Sequence, residues 1–365
     1  MALQMERGNA RLKFFDRYLG PILIGLLMPV KLLRPKAVPS KPSTVGLLKT
    51  AAIGDTLLLS AIVSDLKAAS PDVRITLFTG ASNYEFAKMI EGVDQLVKVP
   101  LTNPLAAVKL IRSYRFDAFI DFDPWPRISA LLAAFSRATV RIGFKTAGQY
   151  RHYMYDVAIE HRNDLHELDN YRALVRPLKI NGTNSPQQLG HAWSCDGDTV
   201  VFHLWPSGTQ SHLKEWDSKK WVELATRLGK LGAFSFILTG GKEDQVRSQR
   251  LISELPEEIR SKFTNLAGSS FKTTLRALQC ARLLVSVNTG IMHVAAAMGV
   301  PTVGLHGPTS PKRWGPVGIR TRSVISDSPD AGTLNLGFEY RDGADYMGGL
   351  SVDTVFAASE ELLRG

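Results

Sequence analysis

Four short segments of the 365-residue chain combine ionisable or hydroxyl side chains with glycine in patterns that can do chemistry. The first, Lys49-Thr50-Ala51-Ala52-Ile53-Gly54-Asp55, ends an apolar run on a basic residue and turns through glycine into a helical pattern. Gly54 suits a tight turn, and Asp55 then stands at a helix N-terminus. There it serves either as an N-cap or as a general base; the helix terminus keeps it ionised and, for the same reason, weakens it as a base. The second, Pro206 to Trp216, holds Ser207, Gly208, Thr209 and Gln210 followed by Lys214. Small residues let backbone N–H groups approach a diphosphate that Lys214 would neutralise, although a polar loop with a solvated lysine reads the same way. The third, Leu238 to Glu243, offers Gly240, Gly241 and an acid, Glu243, suited to ribose hydroxyls or to capping a helix. The fourth, Ser286 to His293, places Asn288, Thr289 and Gly290 where a helix N-terminus can bind an anion. His293 falls one turn into that helix, where a buried structural histidine is the ordinary expectation.

The elements that must carry these segments alternate strand and helix. Strands are expected at Thr44 to Lys49, Val73 to Phe78, Gln95 to Val99, Phe116 to Phe122 and Thr139 to Ile142, with a helix from about Asp55. The same rhythm restarts with strands at Thr199 to Leu204, Phe234 to Leu238, Arg282 to Val287 and Thr302 to Leu305. Such alternation implies two parallel, doubly wound α/β sheets. The expected organisation is an N-terminal extension over 1–42, a first domain over 43–180, a turn-rich linker over 181–198, a second domain over 199–350 and a terminal helix over 351–365. All four segments then sit at carboxyl ends of strands, the edge where such sheets bind ligands in a crevice.

A formal charge of +10 favours an acidic partner, and 44% hydrophobic residues indicate a globular chain. Cys195 and Cys280 form no framework, which suits a reducing, cytoplasmic compartment, and the eight histidines show no metal-ligand spacing. Leu19 to Val30 is an apolar run interrupted by Pro21 and Pro29. It is short for a span, which needs about 20 residues. With Arg7, Arg11, Lys13 and Arg17 before it, it suits either peripheral contact with the anionic inner-membrane leaflet or packing on the protein body.

Taken in order, KTAAIGD, KEW at Lys214 to Trp216, GGKE at Gly240 to Glu243, NTGIMH at Asn288 to His293 and GVPTVGLHGPTSP to Pro311 resemble the motifs of glycosyltransferase family 9, the lipopolysaccharide heptosyltransferases. The resemblance spans Thr44 to Gly318 and implies a GT-B fold, two Rossmann-like domains facing a central cleft. It implies inverting, metal-independent transfer of a heptose or related sugar from ADP-heptose to a lipopolysaccharide-type, anionic lipid-linked glycan, with no cofactor. Asp55 would deprotonate the acceptor, and Lys214 with the Thr209 loop would stabilise departing ADP. Ser207, Gly208, Thr209, Gln210 and Lys214 would bind the donor, as would Gly241, Glu243, Asn288, Thr289, Gly290 and His293. Lys49, Thr50 and Gly54 would bind the acceptor, Lys49 by steering its negative charge.

One departure stands out, because the family's usual aspartate is Asn288 here. It admits a donor other than ADP-heptose, or a catalytically silent scaffold at the membrane. A sugar-nucleotide epimerase would leave the Asp55 motif without a purpose. Nucleic-acid binding would account for the charge, but no recognition helix, zinc or RNA-binding signature supports it.

Overall fold

The computed structural model describes residues 12, 14–32, 38–187, 197–207, 210–334, 341 and 343–364. Its contacts divide the chain into two compact units, Met1–Gln187 and Gln188–Gly365.

In the first unit, β-branched and leucine-rich runs form six parallel strands: β1 (Thr44–Lys49), β2 (Arg74–Thr79), β3 (Gln95–Lys98), β4 (Arg115–Asp121), β5 (Arg137–Lys145) and β6 (Val157–Glu160). They lie in the order β3-β2-β1-β4-β5-β6. The helices are α1 (Gly20–Leu32), α2 (Ile53–Ala69), α3 (Ala81–Ala87), α4 (Pro104–Arg112), α5 (Arg127–Phe135) and α6 (Glu167–Val175). The second unit holds β7 (Thr199–His203), β8 (Ser235–Thr239), β9 (Phe263–Asn265), β10 (Ala281–Val287), β11 (Thr302–His306) and β12 (Thr321–Ile325). Its helices are α7 (Ser218–Gly229), α8 (Gln245–Glu254), α9 (Glu257–Arg260), α10 (Phe271–Gln279), α11 (Gly290–Ala297), α12 (Pro311–Trp314) and α13 (Val352–Arg364). The order β12-β11-β10-β7-β8-β9 is the same winding read from the other edge. In each sheet the strand order reverses beside the first strand, between β1 and β4 and between β7 and β10. In sheets of this winding, ligands bind outside the carboxyl edge at such a reversal.

Three strands escaped the sequence pattern: β6, β9 and β12. Each lies at a sheet edge and is at most partly buried at nearly every position, so none carries a continuous apolar run. The segment 181–187 is tied back onto α2, with Asn184 N–H donating to Asp65 Oδ1 at 3.0 Å and Gln187 N–H to Ser60 Oγ at 2.9 Å. Helix α13 packs on α7 and on β10 to β12, so it belongs to the second unit.

The N-terminal run packs on the first unit. A π-helical turn, Phe15–Leu19, leads into α1, and Phe15, Leu23, Ile24 and Leu27 join the core beneath α4 and α5. Helix α5 begins after Pro126, which gives no side-chain cap. Asp16 fills that role from a distance, accepting from Ile128 N–H at 3.1 Å beside Arg127. Close packing of α1 requires Gly20, where a Cβ would stand 2.9 Å from Arg127 Cδ. No helix among the described residues is long and apolar enough to cross a membrane.

Candidate functional site

At the carboxyl edge of the first sheet the chain leaves β1 and enters α2 through Ala52, whose φ of 72° lies in the left-handed region. The turn expected at Gly54 therefore falls two residues earlier, and Gly54 is a buried residue of the helix. Asp55 is the third helical residue and not the cap, a position that Ala52 occupies without a side-chain bond. The Asp55 carboxylate faces Lys49 instead, Oδ2 to Nζ at 3.3 Å, and keeps 29% of its side-chain exposure.

Lys49 is 2% exposed, so its ammonium needs compensation close by. It sits between Asp55 and Asp123, whose Oδ1 lies 3.1 Å away, and over the Tyr171 ring at 5.7 Å. Burial alone would lower its pKa; Tyr171, Asp123 and Asp55 reverse this and hold Lys49 well above the usual lysine range. A buried, doubly paired ammonium is placed to hold the Asp55 carboxylate. Burial also raises the Asp55 carboxyl above its ordinary value, Lys49 opposes that shift, and Glu167 and Asp123 add to it. The result is a stronger base than a helix terminus alone would leave.

Asp123 was missed by the sequence reading. It accepts from Thr50 N–H at 2.8 Å and Thr50 Oγ1 at 2.6 Å, so it fixes the loop as well as the lysine. Beneath it, Arg151 donates to Asp121 Oδ2 at 2.7 Å, to Ser129 Oγ at 2.9 Å and to the Asp123 carbonyl. Tyr155 donates to the same Asp121 oxygen at 2.7 Å, and its ring fits only because residue 143 is glycine, where a Cβ would lie 2.3 Å from Cζ. The available signal was Asp121 and Asp123, two carboxylates two residues apart at the end of an apolar strand.

Directly at the strand ends, the carboxyl edge of the second sheet presents uncharged side chains. His203 ends β7, with Nδ1 2.9 Å from the Thr239 hydroxyl at the end of β8. After β10, Asn288 Nδ2 donates to Thr309 Oγ1 at 2.7 Å and lies 3.3 Å from His306 Nδ1. Burial pushes His203 and His306 down to about 4, so both are neutral at pH 7. Neither histidine was anticipated. Thr289 holds the N-cap position of α11 without a capping bond of its side chain, Gly290 opens the helix, and His293 is buried one turn in.

Gly208 and Thr209 lie outside the described residues. Around them, Ser207 and Gln210 are exposed, and Gln210 adopts φ 53° to start the turn Ser211–Lys214. That turn is anchored by buried Trp216, whose indole N–H donates to the Leu350 carbonyl at 2.9 Å. Glu215 pairs with Arg247 at 2.7 Å, and Arg247 lies 3.9 Å over the Trp205 ring. Capping after Gly241 is done by Asp244, which accepts the Gly241 N–H at 2.6 Å; Glu243 is left exposed beside Gly241.

The structure thus brings Lys49, Thr50 and Asp55 together with Asp123 in one unit. It sets His203, Asn288, Thr289 and Gly290 along one sheet edge in the other. A family model described as glycosyltransferase family 9 (heptosyltransferase) matches residues 105–335, more than half of the chain. Lipopolysaccharide heptosyltransferase 1 of Pseudomonas aeruginosa is 34% identical over 134 residues, 37% of this chain but only 36% of that protein. Over a longer span, lipopolysaccharide heptosyltransferase 1 of Salmonella typhimurium is 23% identical over 318 residues, 80% of this chain and 96% of that one. The solved glycosyltransferase family 9 protein from Veillonella parvula superposes with a TM-score of 0.72 at 20% identity, covering 90% of this chain and 99% of its own. With motifs, sheet order and family model in agreement, the chain belongs to glycosyltransferase family 9.

Proposed function

We propose that the chain transfers a heptose or closely related sugar from an ADP-linked donor to an anionic, lipopolysaccharide-type glycan on the cytoplasmic face of the inner membrane, inverting the anomeric centre without a metal ion. The observation that carries this reading is the Asp55 carboxylate, partly exposed at the carboxyl edge of β1 and held by a buried lysine. In the proposed reaction Asp55 accepts the proton of an acceptor hydroxyl while that oxygen bonds to the anomeric carbon. The bond from that carbon to the diphosphate breaks on the opposite face, which inverts the centre, and ADP leaves with the electron pair. Lys214, Ser207 and Gln210, with Gly208 and Thr209, stabilise the departing charge, and the Thr289 to Gly290 turn supplies backbone donors. Glu243, freed from capping by Asp244, is available to ribose hydroxyls.

Thermal-shift screening against ADP-, UDP-, GDP- and CMP-sugars tests the donor, since a ligand at a hundred times its Kd stabilises the native state by about 2.7 kcal/mol. An ADP-sugar should raise the midpoint, and transfer should survive chelator. Inactivation by chelator would overturn the metal-free mechanism, and a response to a non-adenine nucleotide alone would overturn the donor. Asn288 favours a second reading, a family 9 enzyme with a different donor sugar, because an amide replaces the family's usual carboxylate at the edge of β10.

A further inference from the structure

Helix α1 is apolar on both sides, but only one side is covered. Its inner side, Leu23, Ile24 and Leu27, is packed into the first unit. On the outer side Phe14 and Tyr18, from the π-helical turn and the residue before it, and Ile22 and Leu26 of α1 follow one another at four-residue steps and are 60%, 54%, 59% and 70% exposed. This is one stripe along a helix surface. The Phe14 and Tyr18 rings lie 4.9 Å apart, and exposed Arg17 lies over Tyr18. Four large apolar side chains in a row are held outward by a helix that Asp16 and Gly20 fix in place. Single exposed apolar residues are ordinary on a protein surface, whereas a continuous stripe marks a contact.

A second feature lies in the same layer of helices. Helices α1 and α4 both pack on α5, and all three contribute to one core cluster of the first unit. On α4, Leu105 is 84% exposed, and Lys109 and Arg112 follow it one and two turns later. With Arg137 they line an open depression of about 440 Å³. All three cations are exposed, and none has a carboxylate partner among the described residues.

We propose that this outer face is a docking surface for an anionic phospholipid bilayer. Helix α1 lies in the plane of the interface with Phe14, Tyr18, Ile22 and Leu26 seated at the headgroup and acyl boundary, and the Lys109, Arg112 and Arg137 depression receives lipid phosphate. Charge complementarity selects this occupant, since exposed Arg17 lies against the apolar stripe and three unpaired cations line the depression on the neighbouring helix that shares its core, a combination that attracts an anionic leaflet more than a neutral protein surface. The geometry adds that α1 lies on the membrane and does not span it, because its inner side is already committed to the core. The inference gives the lipid-linked acceptor of the proposed reaction a surface to be met on, yet it rests on these residues and on no step of transfer.

The experiment is co-sedimentation of the full-length protein with vesicles of pure phosphatidylcholine and of phosphatidylcholine mixed with phosphatidylglycerol. The wild type should pellet with the anionic vesicles and only weakly with the neutral ones. The pairs Ile22→Glu with Leu26→Glu, and Lys109→Glu with Arg112→Glu, should each weaken anionic-vesicle binding about tenfold or more. High salt should erode the contribution of the cations and leave that of the stripe. All four positions are exposed or outward-facing, so circular dichroism and thermal midpoints should be unchanged, and sedimentation reports on docking even if the protein transfers no heptose. Vesicle binding insensitive to both pairs, or equal on neutral and anionic vesicles, overturns the proposal. So does a dimer in analytical ultracentrifugation that the Ile22→Glu and Leu26→Glu pair splits while no vesicle binding occurs, since the stripe would then belong to a second copy of this chain.

Discussion

The two sheets share one strand order but present opposite chemistry at the edge where ligands bind. At the end of β1 and β4 the first unit concentrates full charges, with Lys49, Asp55 and Asp123 in contact above the Asp121 and Arg151 pair. At the end of β7, β8, β10 and β11 the second unit offers neutral histidines, an amide and hydroxyls. The difference follows from the tasks proposed for them. A base must gain a proton, so its carboxylate is partly buried and tuned by neighbouring charges. A diphosphate already carries charge, so its site needs donors, and the buried carboxylate that follows β8, Asp244, is offset by Arg247.

The sharpest break of this contrast is Asp55→Asn, which keeps shape and removes the base. Transfer should fall by about 10² to 10⁴-fold while the ADP-sugar thermal shift in the same protein stays intact. Normal turnover would return Asp55 to a structural role.

Next in size is Asp123→Asn. It leaves Lys49 with a single carboxylate and should destabilise the first unit by on the order of 3 kcal/mol in denaturant unfolding. It also sharpens the electrostatic reading. Transfer requires ionised Asp55, so activity falls as pH drops through the pKa of that carboxyl. Removing Asp123 takes away a charge that raises this pKa, and the acid limb should move to lower pH. Lys49→Met removes the cation that lowers it, and the limb should move the other way. Shifts in the same direction would sink the tuning argument.

The second unit should respond to acid for a different reason. His203 and His306 have folded pKa values of about 4 against an unfolded value of 6.5. Below pH 6.5 the unfolded chain takes up protons that the folded chain refuses, so stability is lost as pH falls from 6.5 toward 4. The loss is at most roughly 3 kcal/mol per histidine. Urea unfolding at several pH values should show it, and His306→Gln should flatten part of the slope.

The smallest expected effect is from Asn288→Asp, which restores the family's usual residue and places a charge in the neutral edge. A charged acceptor changes a hydrogen bond by about 1 kcal/mol, so donor affinity should change several-fold, with the direction depending on the sugar. Isothermal titration with ADP-heptose and with a second ADP-sugar would read it. An identical response to both would remove residue 288 from sugar selection.

Much of this architecture was legible before any coordinates. The strands β1, β2, β4, β7, β10 and β11 announce themselves because central parallel strands are buried on both faces and must be apolar throughout. The glycine-bearing turns after them are local patterns, and local patterns survive in sequence. The role of Asp55 was left divided between cap and base, because both demand an acid at the same place in the chain. Only the tertiary structure shows that Asp55 is not the cap, and it surrounds the carboxylate with Lys49 across the turn and Asp123 just after β4, groups brought together by parallel strand pairing. His203 and His306 were invisible for the same reason, their neutrality being a property of burial and not of residue type. The N-terminal run was open between membrane and core. Its composition suits both, and the fold uses one side for the core and leaves the other exposed, a division that depends on how α1 packs against α5.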